Sequence, residues 1–220
     1  MKVVLVLAVV AAVAWYFQQQ QAKPGAGASA AAQARRLRTP LVRLADLAGI
    51  ETARGRAAGN WAVGAAEEAA TAARLAPLAA EGWTLLHDRA LPGTQANADH
   101  MAISPSGVVF LVDSKRRTAR YPLRTVDGLL VQGNRDVTDW LKGTRHEARL
   151  IAARLGCPVI ALVSMKGPQL EGGELVVDGI RIVDADRLVP VLRSLGRRHR
   201  AVGEHPGRRA AALFPAYRRK

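Results

Sequence analysis

Residues 98–115 read ADHMAISPSGVVFLVDSK and predict two β-strands joined by a tight turn. Ser104-Pro105-Ser106-Gly107 combines residue types that favour a turn. The flanking segments, residues 97–103 and 108–115, are rich in apolar residues and fit strands. We therefore expect a hairpin whose open end carries charged residues.

The charged residues of this hairpin fall opposite each other. If the turn is centred near Ser106, the numbers of paired residues sum to 212, which sets Asp99 against Asp113. Side chains alternate along a strand, so Asp113 and Lys115 share one face. The sequence thus predicts two carboxylates and one ammonium group in a single patch.

A divalent cation would explain this patch. Facing like charges destabilise a strand pair unless something binds between them. Two carboxylates with water suit Mg²⁺ or Mn²⁺, which can activate water against a phosphate, and Lys115 would then assist the attack. The alternative is a strand end with an Asp–Lys ion pair near solvent.

A third carboxylate is expected from the helix that precedes the hairpin. Asn60 is a plausible N-cap for a helix over residues 61–80, and Glu67 and Glu68 lie in its second turn. Neighbouring helical residues point about 100° apart, so one of the two can face the hairpin. Two solvated glutamates are the alternative.

The rest of the chain completes an α/β pattern with no internal repeat. We expect strands at residues 83–87, 126–131 and 159–164, a helix at 138–155, a hairpin around Asp178-Gly179, and a last helix capped by Asp184.

Four segments resemble the NERD (nuclease-related domain) family, which is placed with the restriction-endonuclease-like, PD-(D/E)xK superfamily. They are WAVGAAEE at 61–68, WTLLHD at 83–88, ADH at 98–100 and VVFLVDSK at 108–115. The resemblance covers about residues 60–165 and implies an αβββαβ core, which agrees with the element order predicted above.

The resemblance also implies a role for each matching residue. Asp99 corresponds to the metal-binding acid of the first hairpin strand, and Asp113 and Lys115 to the acid and lysine of the (D/E)xK element. Glu68 best matches the helix glutamate, so the implied metal ligands are Glu68, Asp99 and Asp113, with Lys115 as a further catalytic residue. His100 is expected to pack or hydrogen-bond beside the site, and a general-base role is the weaker alternative.

The chain departs from the family at two places. The family usually has Gly before the helix glutamate, where this chain has Glu67, and this leaves the choice between Glu67 and Glu68 open. Many relatives have a glutamine near the start of the later helix, where this chain reads KGTR at 142–145. Basic residues here and after the hairpin are candidate contacts to a nucleic-acid backbone, or else a solvated basic face: Arg116, Arg117, Lys142 and Arg145.

Charge and cysteine content set broad limits. The net charge of +14 and the pI of about 11.2 favour polyanionic partners, either nucleic acid or anionic lipid. A genomic preference for arginine is the alternative source of this charge. The single cysteine, Cys157, excludes an internal disulfide.

Residues 3–17 form an unbroken apolar run that predicts a membrane anchor. As a helix it reaches roughly 22 Å, short of a ~30 Å hydrocarbon layer, but Lys2, Trp15 and Tyr16 suit its two ends. Basic residues after the run favour a cytoplasmic position for the rest of the chain. A signal peptide cleaved near Ala26-Gly27-Ala28, with secretion of the remainder, is the alternative.

The sequence therefore predicts an α/β fold, an αβββαβ restriction-endonuclease-like core with an added C-terminal hairpin and helix, preceded by an N-terminal hydrophobic helix. The expected divisions are an anchor at 1–20, a partly helical linker at 21–59, the NERD-like domain at 60–196 and a disordered basic tail at 197–220. The expected activity is Mg²⁺- or Mn²⁺-dependent hydrolysis of phosphodiester bonds at the cell membrane, in DNA rather than RNA. The alternatives are a non-catalytic, membrane-associated nucleic-acid-binding module and a membrane-surface interaction protein.

Overall fold

Helices flank a six-stranded mixed sheet in the computed structural model, which describes residues 25–201 and 203–217. The described α-helices are α1 (Ala28–Leu37), α2 (Pro40–Leu47), α3 (Ala53–Leu75), α4 (Lys142–Leu155), α5 (Leu188–Arg198) and α6 (Gly207–Leu213). The described strands are β1 (Thr84–Ala90), β2 (Asn97–Ile103), β3 (Val109–Arg116), β4 (Leu123–Val126), β5 (Leu129–Gln132), β6 (Arg135–Asp136), β7 (Val159–Lys166), β8 (Glu174–Val177) and β9 (Ile180–Asp184).

The large sheet has the strand order β1-β2-β3-β7-β9-β8. The first three strands are antiparallel, β3, β7 and β9 are mutually parallel, and β8 closes the far edge as an antiparallel hairpin with β9. Strands β4, β5 and β6 form a separate small sheet between β3 and α4. Without this insertion, the order from α3 to β7 is the αβββαβ order predicted from the sequence.

Strand β3 is covered on both faces. Phe110 and Val112 pack in a core cluster with residues of α3 and α5, whereas Val109 and Leu111 pack in a second cluster with residues of α4 and α6. A strand that is buried on both faces has no polar side, which explains why residues 108–112 are all apolar. Because both faces of β3 are packed, the position of its charged end, which begins at Asp113, is fixed relative to the surrounding helices.

The register predicted for the β2–β3 hairpin is confirmed. Met101 pairs with Leu111 and Ile103 pairs with Val109, and both pairs of numbers sum to 212. Gly107 has a φ of +82°, a value that glycine adopts without strain. The turn therefore sets the two strands so that Asp99 and Asp113 come together.

The helix before the sheet begins earlier than predicted. Helix α3 starts at Ala53, with Thr52 as its N-cap, and the Thr52 side chain accepts a hydrogen bond from Gly55 N at 2.9 Å. Asn60 lies inside the helix, so the prediction that it caps the helix was wrong. The helix ends at Leu75 and continues as a 3₁₀ segment, Ala76–Glu81.

Two strand predictions also need correction. The single strand predicted at residues 126–131 is two strands, β4 and β5, because Asp127 and Gly128 take φ values of +50° and +79° and reverse the chain. Trp83 lies before β1 rather than in it, and its ring packs 5.6 Å from the ring of Phe110. The predicted hairpin around Asp178-Gly179 is confirmed.

The region predicted as a partly helical linker contains α1 and α2. Ala30 and Ala34 of α1 are buried, and α1 packs on α3 so closely that a Cβ added to Gly27 would lie 2.5 Å from the carbonyl oxygen of Ala65. The predicted hydrophobic helix at residues 3–17 lies outside the described residues. Within residues 25–201 and 203–217, no helix combines the length and apolar character needed to cross a membrane.

The basic C-terminal segment also differs from its prediction as a disordered tail. Helix α6 forms there, and Phe214, which follows it, is fully buried. Backbone hydrogen bonds from Ala90 N to Pro215 O (2.9 Å) and from Tyr217 N to Asp88 O (2.8 Å) attach this segment to β1. Buried apolar side chains between the arginines hold this segment against the domain. The net charge of the segment does not reveal these apolar residues.

Candidate active site

Asp99 and Asp113 lie at the open end of the β2–β3 hairpin. Asp99 Oδ2 accepts a hydrogen bond from Ser114 N at 2.9 Å. Asp113 is buried, and Lys115 Nζ lies 3.0 Å from its Oδ1 and 2.7 Å from its Oδ2. The Thr144 hydroxyl, from the first turn of α4, donates to the same Oδ2. The hairpin thus assembles the acid–acid–lysine patch that the sequence predicts.

The structure separates the two neighbouring glutamates of α3. Glu67 pairs with Arg74 on its own helix, with Nη1 and Oε1 3.1 Å apart. Glu68 points towards the hairpin instead, where it interacts with the charges of Asp113 and Lys115. Its Oε2 atom is buried and has no hydrogen-bond partner among the described residues. Of the two, Glu68 therefore lies in the cluster.

The acids of the cluster disfavour one another's ionisation. Burial, then the charges of Asp88 and Asp113, raise the pKa of Glu68 to about 7, against a hydrogen bond from the Gly27 backbone that lowers it. Burial, then Asp113 and Glu68, raise the pKa of Asp99 well above its usual value. Burial lowers the pKa of Lys115, but its ion pair with Asp113 outweighs this and the net shift is upward. Asp113 is therefore paired with the Lys115 ammonium group, whereas Glu68 and Asp99 ionise less readily than free carboxyl groups do.

Glu147 is a fourth carboxylate that the sequence analysis missed. Burial, followed by the charge of Asp113, raises its pKa to about 8. Thr144 and Glu147 are three residues apart on α4 and so share a helix face. That spacing was the available signal, but only the packing of α4 on the sheet shows that this face meets Asp113.

The carboxylate oxygens of Asp99 and Asp113 accept hydrogen bonds from protein donors. Among the residues that the structure describes, no group of three or more His, Cys, Asp or Glu side chains has the arrangement of a metal site. Lys115 and Thr144 hold Asp113, and Ser114 holds Asp99. The acids therefore lie near enough to affect one another's ionisation, but the oxygens of Asp99 and Asp113 face hydrogen-bond donors of the protein.

Comparison with known families gives a match over the same part of the chain. Residues 63–164 match the NERD family, the nuclease-related domain. A search of curated proteins gives no match. The NERD match runs from within α3 into β7, and it contains Glu68, Asp99, Asp113, Lys115 and Glu147. Helices α1, α2, α5 and α6 and the β8–β9 hairpin lie outside it.

A buried pair of histidines, His87 and His100, packs beside the acids within the segment that matches the NERD family. His100 is fully buried, with its Nδ1 2.8 Å from His87 Nδ1 and its Nε2 3.0 Å from Ser114 Oγ. Burial, and to a smaller extent His87, lower the pKa of His100 to about 3. His100 thus packs and hydrogen-bonds behind the backbone of Ser114, whose N–H binds Asp99.

The four basic residues predicted to contact nucleic acid have different surroundings. Arg116 is exposed where β3 leaves the cluster, and the Arg117 guanidinium lies 4.5 Å from the centre of the Trp140 ring. Lys142 pairs with Asp139 at 2.9 Å in an exposed position, and Arg145 pairs with Asp178 of the β8–β9 turn. Arg116, Arg117 and Lys142 therefore present charge near the surface, whereas Arg145 serves a contact within the protein.

Helix α1 lies outside the segment that matches the NERD family, and its N-terminus points towards Asp88 and Glu68. Ser29 N donates to Asp88 Oδ2 at 2.8 Å, and the backbone of Gly27 lowers the pKa of Glu68. Asn97 holds the other oxygen of Asp88 at 2.9 Å. The unpaired N–H groups of a helix N-terminus carry partial positive charge, which stabilises these carboxylates. Asp88 ends the WTLLHD segment of the resemblance, which implies no role for it, and the structure shows that its side chain binds α1.

Proposed function

We propose that the protein is a metal-dependent nuclease that hydrolyses phosphodiester bonds of DNA. The observation that carries the proposal is that Glu68, Asp99 and Asp113, from three different elements, converge beside Lys115 inside the NERD match. Such a constellation destabilises a protein that does not use it, because each carboxylate raises the cost of ionising the others.

The chemical type of these donors, rather than their arrangement in the structure, suits Mg²⁺ or Mn²⁺. Hard divalent cations prefer carboxylate oxygens, and Glu68 Oε2 is a buried oxygen that lacks a hydrogen-bond partner in the described part of the chain. Glu68, Asp99 and Asp113 would hold the cation. When bound, the cation supplies positive charge for the phosphate and lowers the pKa of a bound water.

The protein's own groups would orient the reaction. Asp113 and Thr144 fix the position of the Lys115 ammonium group, which stays protonated because of its ion pair with Asp113. The Lys115 Nζ proton is then available to a phosphate oxygen as negative charge grows on it. Arg116, Arg117 and Lys142 would bind the backbone phosphates on either side.

The experiment is cleavage of supercoiled plasmid DNA by the full-length protein with Mg²⁺ or Mn²⁺. We expect nicking that EDTA abolishes and that Asp113→Ala abolishes. Glu171→Ala is the matched control, because Glu171 is an exposed acid in the loop after β7, and it should nick as well as the wild type. Equal nicking by Asp113→Ala and wild type would refute the assignment of the site.

A second candidate is a non-catalytic module that binds nucleic acid at the membrane. The net charge of +14 and the exposed Arg116 and Lys142 favour it. It predicts DNA binding that weakens steeply with salt and is indifferent to EDTA and to Asp113→Ala. An oligonucleotide-binding titration at two salt concentrations, with wild type and variant, separates the two candidates.

We further propose that residues 3–17 tether the chain to the cell membrane, with the remaining residues on the cytoplasmic side. The support is the apolar run and the arginines that follow it in the sequence. Secretion after signal cleavage is the competing outcome, and N-terminal sequencing of the mature protein distinguishes the two.

A further inference from the structure

Helix α2 turns its leucines away from the protein. Leu41, Leu44 and Leu47 are 78%, 62% and 85% exposed, and Ile50, just after the helix, is 60% exposed. Val42, by contrast, is 5% exposed and faces Gly55 of α3, where an added Cβ would lie 3.6 Å from Val42 Cγ1. At about 100° per residue the three leucines span about 120°, which makes a continuous apolar stripe on the outer side.

Folding of the described residues does not account for this stripe. The amphipathic helix α5 has the usual arrangement, in which Leu188, Leu192 and Leu195 are buried under the sheet. Isolated exposed leucines are ordinary, but a contiguous group on one short helix is typical of a surface that binds something. The stripe therefore indicates a partner that is itself apolar where it meets α2.

The surrounding charge indicates which partner it is. Residues 35–56 contain six arginines and two acids. The exposed arginines in this segment are Arg36, Arg38, Arg43, Arg54 and Arg56. A purely apolar polypeptide would gain nothing from this positive charge. An apolar layer beneath an anionic surface would use both features, because leucines enter the layer and arginines bind the headgroups.

We propose that α2 lies on an anionic lipid bilayer, with Leu41, Leu44 and Leu47 inserted at the boundary between headgroups and acyl chains. This site is separate from the acidic cluster, and it does not depend on nuclease activity. The proposal is distinct from tethering by residues 3–17, because such an anchor does not by itself place α2 against the bilayer.

The test measures the depth of α2 in the bilayer with the full-length chain. Cys157→Ser removes the single cysteine, and Leu44→Cys then carries an environment-sensitive fluorophore. The protein is reconstituted with vesicles of phosphatidylglycerol and phosphatidylcholine that carry nitroxides on their acyl chains. The control places the same fluorophore at Leu129→Cys, which is 44% exposed on β5. Circular dichroism confirms that each labelled variant is folded.

We expect the nitroxides to quench the probe at position 44 severalfold more than the probe at position 129. We also expect the difference to shrink when phosphatidylcholine is the only lipid, and when Arg36, Arg38 and Arg54 are all replaced by Glu. Equal quenching at the two positions would overturn the proposal. Quenching at position 44 that is unchanged both by neutral lipid and by the three Arg→Glu replacements would also overturn it. An apolar environment at position 44 before lipid is added would also overturn it, since residues 3–17 or a second copy would then cover the stripe.

Discussion

Replacing Glu147 by Gln tests the electrostatics of the acidic cluster without removing a predicted metal ligand. The pKa of Glu147 is raised from 4.5 to about 8, mainly by burial and then by Asp113. The folded state therefore holds a proton that the unfolded state releases above pH 4.5. The contribution of the protonated Glu147 side chain to the free energy of unfolding is fully present below its unfolded pKa. This contribution is lost as the pH rises through about 8.

The magnitude follows from the shift in pKa. At about 1.36 kcal/mol per unit, the full shift corresponds to about 5 kcal/mol at high pH, and this is an upper limit. Side chains relax and water enters when a buried group ionises, so we expect a measured effect of about 1–3 kcal/mol. The side chain introduced by Glu147→Gln cannot ionise, so the free energy of unfolding of this variant should not fall for this reason at high pH.

The assay is urea unfolding of the full-length chain in neutral detergent, followed by circular dichroism, at about pH 5 and about pH 9 in EDTA. The EDTA matters because a bound cation would favour the ionised form. From about pH 5 to about pH 9, the free energy of unfolding of Glu147→Gln should rise by about 1–3 kcal/mol relative to that of the wild type. For Glu171→Gln, at an exposed position, this relative change should be absent. A constant difference between Glu147→Gln and wild type across this range would refute the reasoning.

Two further predictions concern the segments outside the NERD match. Phe214→Ala should lower the free energy of unfolding by about 3–5 kcal/mol, because the ring is fully buried beside α4 and the sheet. An effect below about 1 kcal/mol would contradict the packing of the C-terminal segment. Gly27→Ala should detach α1 and expose it to limited proteolysis, because φ is +73° and the new Cβ would meet the backbone of α3, whereas Gly64→Ala, which meets nothing within 4 Å, should leave α1 protected.

The hairpin that builds the site could be predicted because its signals are local. A Ser-Pro-Ser-Gly turn fixes the register, and the register alone brings Asp99 to Asp113. Alternation along β3 then adds Lys115. None of these steps depends on how the rest of the chain packs.

The other residues of the cluster could not be predicted in this way, because their positions depend on how helices rotate against the sheet. The sequence could not choose between Glu67 and Glu68, which differ by about 100° on α3. Glu147 was missed for the same reason, since the face of α4 that meets Asp113 is decided by packing. The contact of Asp88 depends on α1, whose alanine-rich sequence predicts only a partly helical linker.

Divalent-cation binding by the acidic cluster is the central claim, and calorimetric titration of the full-length protein with Mn²⁺ tests it most directly. We expect the wild type and Glu171→Gln to bind Mn²⁺ alike, and Asp99→Asn combined with Asp113→Asn to bind at least about tenfold more weakly, a loss of about 1.4 kcal/mol or more. Indistinguishable titrations of the wild type and the double variant, or no binding by either, would contradict the account.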